Sequence, residues 1–292
     1  MVKMNKIDLQ SHTTASDGEL SPDQLVDLAI ERGIKALAIT DHDSLNGIAP
    51  AIEHSKDQEI EIVPGIEISC DAAEHGFKKV DVLGLLIDPN NKKLADLTKT
   101  IKEERVIQKK KIIEKLNKIG FDISFEEVAK NVKGSFGRPH IARVLVKRYP
   151  KEFATIEEAF QKYLGEGKPA YADRRDRVLL NHAIKLIKGA NGITILAHPG
   201  VFKKEDSLVL IDKFINLGGE GIETYYPYQI IVPELNLDEE ENKEMISFYK
   251  DIAKKKKILE SGGNDHHGRD RDTLGLLDIP YEVLKNLKKL NK

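Results

Sequence analysis

Histidines and carboxylates recur in this chain where short apolar runs end, a spacing that suits the capture of metal ions. Gln10, Ser11 and His12 follow Ile7-Asp8-Leu9, with Asp17 just beyond, and Asp41-His42-Asp43 follow the run from Ala36 to Thr40. The run from Ile60 to Ile68 carries Glu67, and the run from Val80 to Ile87 carries Asp81. His198-Pro199 follow Ile193 to Ala197, Glu223 lies in Gly221 to Tyr225, and Asp265-His266-His267 come after Ile258 to Ser261. Any one of these is an ordinary turn residue. As a set they are harder to dismiss: five of the nine histidines (His12, His42, His140, His198, His267) fall at such ends or in the turn Gly137-Arg138-Pro139-His140. Residues two apart on an extended segment point the same way, so Gln10 with His12, and Asp265 with His267, can each address one centre.

Imidazole and carboxylate donors without thiolate favour Mn, Fe or Zn over soft-metal sites and over the all-oxygen sites of Mg and Ca. The set exceeds one ion's needs, and two or three divalent ions sharing Glu67 as a bridge would use it. Clustered ions suit hydrolysis of phosphate esters. They bring the pKa of a bound water to about 7, clamp phosphoryl oxygens and stabilise the leaving oxygen. Phosphate esters are among the slowest hydrolyses without a catalyst, so that charge stabilisation is needed. The remaining histidines fit blander places: His54 and His182 on helix faces, His75 in a polar turn, His266 packed on the opposite strand face.

The elements that must hold these residues alternate. Strand-like runs separated by helical patterns read as a parallel sheet or barrel whose loops converge at the C-terminal strand ends. The first helix is well marked, with Ser21 as N-cap, Pro22 at its first position, Gly33 past its last turn, and Leu25, Leu28, Ala29 and Ile30 as its apolar face. From about Asn91 the strand pattern stops. A long Lys-rich helix is expected from Lys92 to Ile119, then shorter ones from Ser124 to Asn131, Pro139 to Arg148 and Ile156 to Leu164. This divides the chain into a first barrel part (1–92), a helical insertion (93–170) and a second barrel part (171–292).

The 292 residues are 40% hydrophobic and 32% charged, with a net charge of −2. That is a globular balance without a global basic field for duplex nucleic acid. The single cysteine, Cys70, excludes a disulfide framework and a thiolate zinc site and suits a reducing compartment. No apolar run approaches the roughly 20 residues of a membrane span, and the N-terminus lacks a signal-peptide core, so the expected location is cytoplasmic. Lys254 to Lys257 reads as a solvated helix end.

Seven ordered motifs carry a family resemblance. Leu9-Gln-Ser-His-Thr-Thr-Ala-Ser-Asp-Gly18, Ile39-Thr-Asp-His-Asp43, Gly65-Ile-Glu-Ile-Ser69, Gly137-Arg-Pro-His-Ile-Ala142, Gly165-Glu-Gly-Lys-Pro-Ala-Tyr171, Ala197-His-Pro-Gly200 and Gly263-Asn-Asp-His-His-Gly268 resemble the PHP (polymerase and histidinol phosphatase) superfamily. The nearest branch is that of the 3′,5′-nucleoside bisphosphate phosphatases and their 5′-to-3′ exoribonuclease relatives. The resemblance implies a distorted (β/α)7 TIM-like barrel with a helical insertion. It implies His12, Asp17, His42, Glu67, His140, Asp265 and His267 as metal ligands, with Glu67 bridging two ions. His198 would act in proton transfer, and Arg138 and Lys168 would hold substrate phosphate. Asp17, His42, His198 and Asp265 are thus the expected catalytic residues.

Two positions depart from the family pattern. Gln10 stands where the family has the first histidine of His-x-His, and Asp81 stands where it has another histidine. Both are kept in the expected metal set, but Gln10 is a weaker donor than imidazole, which predicts fewer tightly bound ions. The expected activity is a metal-dependent phosphatase, Mn first and Zn or Fe as alternatives, acting on a phosphorylated nucleotide. Its rivals are an exoribonuclease on short RNA, whose strand the basic insertion (Lys109 to Lys111, Arg143, Lys147, Arg148) would hold if it is not the solvated helix surface that the near-neutral net charge favours, and a metal-binding module with weakened catalysis. No membrane and no obligate protein partner are expected.

Overall fold

The computed structural model describes residues 6–130, 137–173, 178–268 and 271–291. Asn131, the expected end of a short helix, lies outside them. The described strands are β1 (Lys6–Asp8), β2 (Ala36–Ile39), β3 (Glu61–Ala72), β4 (Phe77–Leu85), β5 (Val178–Leu179), β6 (Ile193–Leu196), β7 (Gly221–Tyr225), β8 (Leu259–Gly262) and β9 (Ile279–Pro280). They form one sheet in the order β8-β7-β6-β4-β3-β2-β1-β9, with β5 beside β3. Past β8 and β1 the backbone nearly closes the circle, because the Leu9 N–H donates to Gly262 O at 3.1 Å and the Asp265 N–H to Gln10 O at 3.0 Å. The result is a distorted TIM-like barrel of mixed α/β class. Seven of its strands coincide with the apolar runs. β5 and β9 are two-residue pairings, too short to leave a periodic pattern in sequence.

The sheet is not parallel throughout. β4 runs antiparallel to both β3 and β6. Only the 3-10 turn Ala73–His75 and Gly76 separate β3 from β4, far short of the dozen or so residues a parallel crossover needs. Gly76 closes the turn at a φ of 91°, which a side chain would strain. The reversal decides where Asp81 lies: Ser69, two residues past Glu67, pairs with Asp81. An aspartate at the middle of β4 is thereby brought to the end of the barrel where the other strands finish.

Contacts divide the chain into two compact units, Met1–Thr98 with Val178–Lys292, and Lys99–Arg177. In the first, Ile7, Leu9, Ala36, Ala38, Val63, Leu83, Leu85, Ile193 and Ile195 share one buried cluster, to which helix Tyr281–Leu290 adds Leu284 and Leu287. Helix Pro22–Glu31 has Ser21 as N-cap in a reciprocal capping box with Gln24, and Gly33 follows at a φ of 69°. Its buried face is Leu25, Val26 and Ala29. Leu28 and Ile30, expected inside, are only half-buried, because the stripe rotates toward Val26. In the second unit, helices Lys92–Lys118 (from Lys99 on) and Arg138–Arg148 bury Ile112, Leu116, Ile141 and Leu145 with Phe153 and Leu164. Among the described residues no helix is long and apolar enough to cross a membrane.

Candidate metal centre

The first unit gathers nine of the expected site residues. Beyond β1, Gln10 and His12 are fully buried. The Gln10 side-chain amide donates to Glu67 Oε2 at 3.1 Å, and its own oxygen, Oε1, has no hydrogen-bond partner. His12 Nε2 lies 3.1 Å from Glu67 Oε2 and 3.0 Å from Asp265 Oδ1. Asp41, a strand-end carboxylate by sequence, instead holds the next loop. It accepts the Thr13 N–H and hydroxyl at 2.8 Å each and the Ser16 hydroxyl at 2.6 Å. The loop then folds back on itself so tightly that a Cβ on Gly18 would stand 2.3 Å from His12 O. That return carries Asp17 to 3.8 Å from His12 Nδ1 and 3.5 Å from His267 Nε2.

Three overlapping groups of donor atoms could each hold an ion. They are His12 with Asp17, His42 and His267; His12 with Glu67 and Asp265; and His42 with Glu67 and Asp81, each within a 4.8 Å span. Both ring nitrogens of His12, and Nδ1 of His42, are buried without a well-aligned hydrogen bond. Buried imidazole nitrogens left unmatched among carboxylates are poor internal hydrogen bonding and good cation ligation. Electrostatics agree. Burial works to lower the His12 pKa, but the Asp265 and Glu67 carboxylates beside it outweigh burial and raise it well above the ordinary value. Burial works to raise the Asp265 pKa, yet His12 brings it down to about 2. The carboxylates therefore draw positive charge into the site, which a bound cation would supply.

Neighbouring groups set the donors' orientation. His267 Nδ1 lies 2.9 Å from Asp265 O and 3.3 Å from the Arg271 guanidinium, which leaves Nε2 toward Asp17. Asp81 Oδ1 accepts the Ser69 hydroxyl at 2.7 Å. His198 belongs to none of the three groups; its Nε2 faces Glu67 Oε1 at 3.2 Å. Burial works against a proton on His198, but the hydrogen bond to Glu67 prevails and brings its pKa up to about 9.

The other three expected residues lie in the second unit. His140, half-buried, accepts the Gly137 N–H at Nδ1 over 3.1 Å, and burial lowers its pKa. The Arg138 guanidinium donates to Leu164 O at 3.0 Å and packs over the Phe160 and Tyr171 rings at 5.6 and 5.3 Å. It thus supports the Gly165–Tyr171 turn in which Lys168 is exposed. Sequence reasoning missed Tyr226 and Arg271, whose hydroxyl and guanidinium reach Asp265 Oδ2 at 2.8 and 3.1 Å. No motif marks either one.

His266 faces away from the donors, and its Nδ1 accepts the Thr273 and Leu274 N–H groups at 3.2 Å each. Burial pushes its pKa down to about 4 from an ordinary 6.5. A histidine held neutral by the fold stabilises above its unfolded pKa and loses that contribution as pH falls. The chelated protein should therefore lose stability between about pH 6.5 and pH 4. His266→Asn, whose Oδ1 can accept the same two N–H groups without titrating, should lose less over that window. Equal acid sensitivity of the two proteins in urea melts would remove His266 from the account.

The barrel and its histidine–carboxylate cluster define a metal-dependent phosphoesterase. The family model described as PHP domain matches residues 8–214, and the chain belongs to that family. It is 35% identical, over 75% of this chain and 78% of the relative, to a 5′-3′ exoribonuclease from Haemophilus influenzae. It is 34% identical, over 75% of this chain and 76% of the relative, to a 3′,5′-nucleoside bisphosphate phosphatase from Chromobacterium violaceum. A solved structure from Bifidobacterium adolescentis, described as a metal-dependent phosphoesterase, superposes with a TM-score of 0.75 at 25% identity, covering 96% of this chain and 94% of that one.

Proposed function

We propose that this enzyme is a phosphatase that removes a phosphate monoester from a nucleotide such as a nucleoside 3′,5′-bisphosphate, using two or three divalent ions, Mn first. The observation that carries the reading is the sharing of His12, His42 and Glu67 among the three donor groups, which supports adjacent ion positions. When bound, the ions supply Lewis-acid charge at the phosphoryl oxygens and acidify an attacking water. Glu67, with Gln10 and His12 on one side and His42 and Asp81 on the other, would be shared between ions. Asp17, Asp265 and His267 complete the donor set in this unit, and His140 is a further ligand by its motif. His198, outside the donor groups but against Glu67, carries a proton to the leaving oxygen. Arg138 and Lys168 hold substrate phosphate, the first as a bidentate donor and the second as a point charge. A cytoplasmic location belongs to the same proposal, resting on a sequence with a single cysteine, Cys70.

A second reading, exoribonuclease action on short RNA, has one observation in its favour. Lys99–Arg177 holds 20 lysines and arginines against 12 acidic residues in a chain whose net charge is −2. A basic unit suits a phosphate backbone. The deciding experiment gives the Mn-loaded protein a nucleoside 3′,5′-bisphosphate and a 5′-phosphorylated oligoribonucleotide, then resolves the products. Inorganic phosphate from the first, with the oligonucleotide intact, supports the phosphatase. Mononucleotides released stepwise from the second would replace it.

The assignment also sets the outcome of two substitution experiments. Lys168→Ala should lower kcat/KM by about tenfold or more, the usual worth of a charged hydrogen bond, with metal content unchanged. Arg138→Ala should do the same and also lower the melting temperature, because Leu164 O loses its donor. Unaltered kcat/KM in both variants would take them out of the site. Gln10→His should raise Mn²⁺ occupancy and lower the Mn²⁺ needed for activity, since it replaces an amide with a nitrogen donor beside His12. If Gln10 only bonds a metal-held water, elemental analysis will find the same stoichiometry in both proteins.

A further inference from the structure

β7 supplies none of the expected ligands, yet two side chains at its end reach the cluster. Strict alternation would send Glu223, Tyr225 and Pro227 to one face. The pairing of β7 with β8 breaks that rule, because Glu223 pairs with Ser261 and Tyr225 with the very next residue, Gly262. One extra residue on one strand reverses the facing of the residues beyond it. Glu223 and Tyr226, three apart, are therefore both buried in the site, at 0% and 2% exposure, while the Tyr225 hydroxyl meets Lys250.

Each touches a residue with an unusual backbone. Glu223 Oε2 accepts the His198 backbone N–H at 2.9 Å. His198 there has a φ of 28°, a conformation that persists for a residue with a Cβ only when its surroundings enforce it. From that backbone its Nε2 reaches Glu67. Tyr226 donates its hydroxyl to Asp265 Oδ2 at 2.8 Å, and Asp265 has a φ of 50°. With Oδ2 engaged by Tyr226 and Arg271, Oδ1 is the oxygen left facing His12 Nε2 at 3.0 Å.

We infer that β7 is the positioning strand of the site: Glu223 sets the backbone of His198, and Tyr226 turns Asp265 so that Oδ1 alone is offered to a cation. The inference rests on the metal-dependent reading above. Groups that orient a ligand typically change metal affinity about 10–100-fold when removed.

The test titrates Mn²⁺ into chelated protein by calorimetry and measures kcat and KM on the loaded enzyme. Tyr226→Phe, which removes only the hydroxyl, should weaken one Mn²⁺ site about 10–100-fold without unfolding. Glu223→Gln keeps an oxygen that accepts the His198 N–H, and Glu223→Met has similar size without one. The Gln variant should retain a kcat about tenfold or more above the Met variant, with KM and Mn²⁺ affinity alike in the two. Parental Mn²⁺ affinity in Tyr226→Phe overturns the inference, as does an equal kcat in the two Glu223 variants. If the Met variant does not fold, the Tyr226→Phe titration alone decides. A parent that binds no Mn²⁺ overturns the metal assignment itself, a result distinct from a parent that binds and a Tyr226→Phe variant that binds equally well.

Discussion

Removing divalent ions is expected to lower phosphate release by about a thousandfold or more, and Mn²⁺ to restore it. Charge stabilisation by bound ions is worth several kcal/mol in the transition state, and each 1.4 kcal/mol is about tenfold in rate. The residues in place offer no substitute. The buried acidic groups Glu67, Asp81 and Asp265 repel a phosphate, and only a cation on them reverses the sign of the site. The same logic makes Glu67→Ala more damaging than loss of any other single donor, because among the three shared residues Glu67 is the one carboxylate, with two oxygens to offer, and it contacts Gln10, His12 and His198. Full hydrolysis by protein that elemental analysis finds free of metal would end the metal mechanism. Parental Mn²⁺ stoichiometry in Glu67→Ala would end its role as a bridge.

His198→Ala is expected to lower kcat by about 10²–10⁴-fold, the usual contribution of a positioned proton donor, with Mn²⁺ content unchanged. The separation of the two readouts comes from geometry. His198 belongs to none of the donor groups, but its Nε2 lies 3.2 Å from Glu67 Oε1, at the edge of the ion positions. The loss should be large for a nucleotide, whose alkoxide leaving group needs a proton. It should be small for an aryl phosphate, whose phenoxide leaves without one. An equal loss on both substrates would reassign His198 to metal or phosphate binding, and a fall in Mn²⁺ content would make it a ligand.

Much of this was legible along the chain because a strand carries its chemistry at its end. A run such as ALAIT must stop where the barrel opens to solvent, and the polar residue after it, here His42, is delivered to the mouth by the strand's length alone. That logic placed Gln10, His12, His42, His198, Asp265 and His267 without knowledge of any contact. The first helix was equally legible, since Ser21, Pro22, Gln24 and Gly33 act within one turn of the backbone they cap. Its buried face was not, because which of Val26 and Leu28 turns inward depends on what the helix packs against.

The local pattern thus determined seven of the nine described strands, the first helix, and which side chains those strands present at the mouth; all rest on periodicity and backbone preference over a few residues. Tertiary structure alone decided three matters. It reversed β4, so that Asp81 reaches the site from the middle of its strand rather than the end. It gave the strand-end Asp41 a structural task, since its oxygens are consumed by Thr13 and Ser16, partners 25 to 28 residues away. And it brought Tyr226 to Asp265, 39 residues on, through a shift in register between two strands. The physical reason is the same each time: a carboxylate's role is set by which donors reach it first, and those donors come from parts of the chain whose proximity only the closed barrel creates.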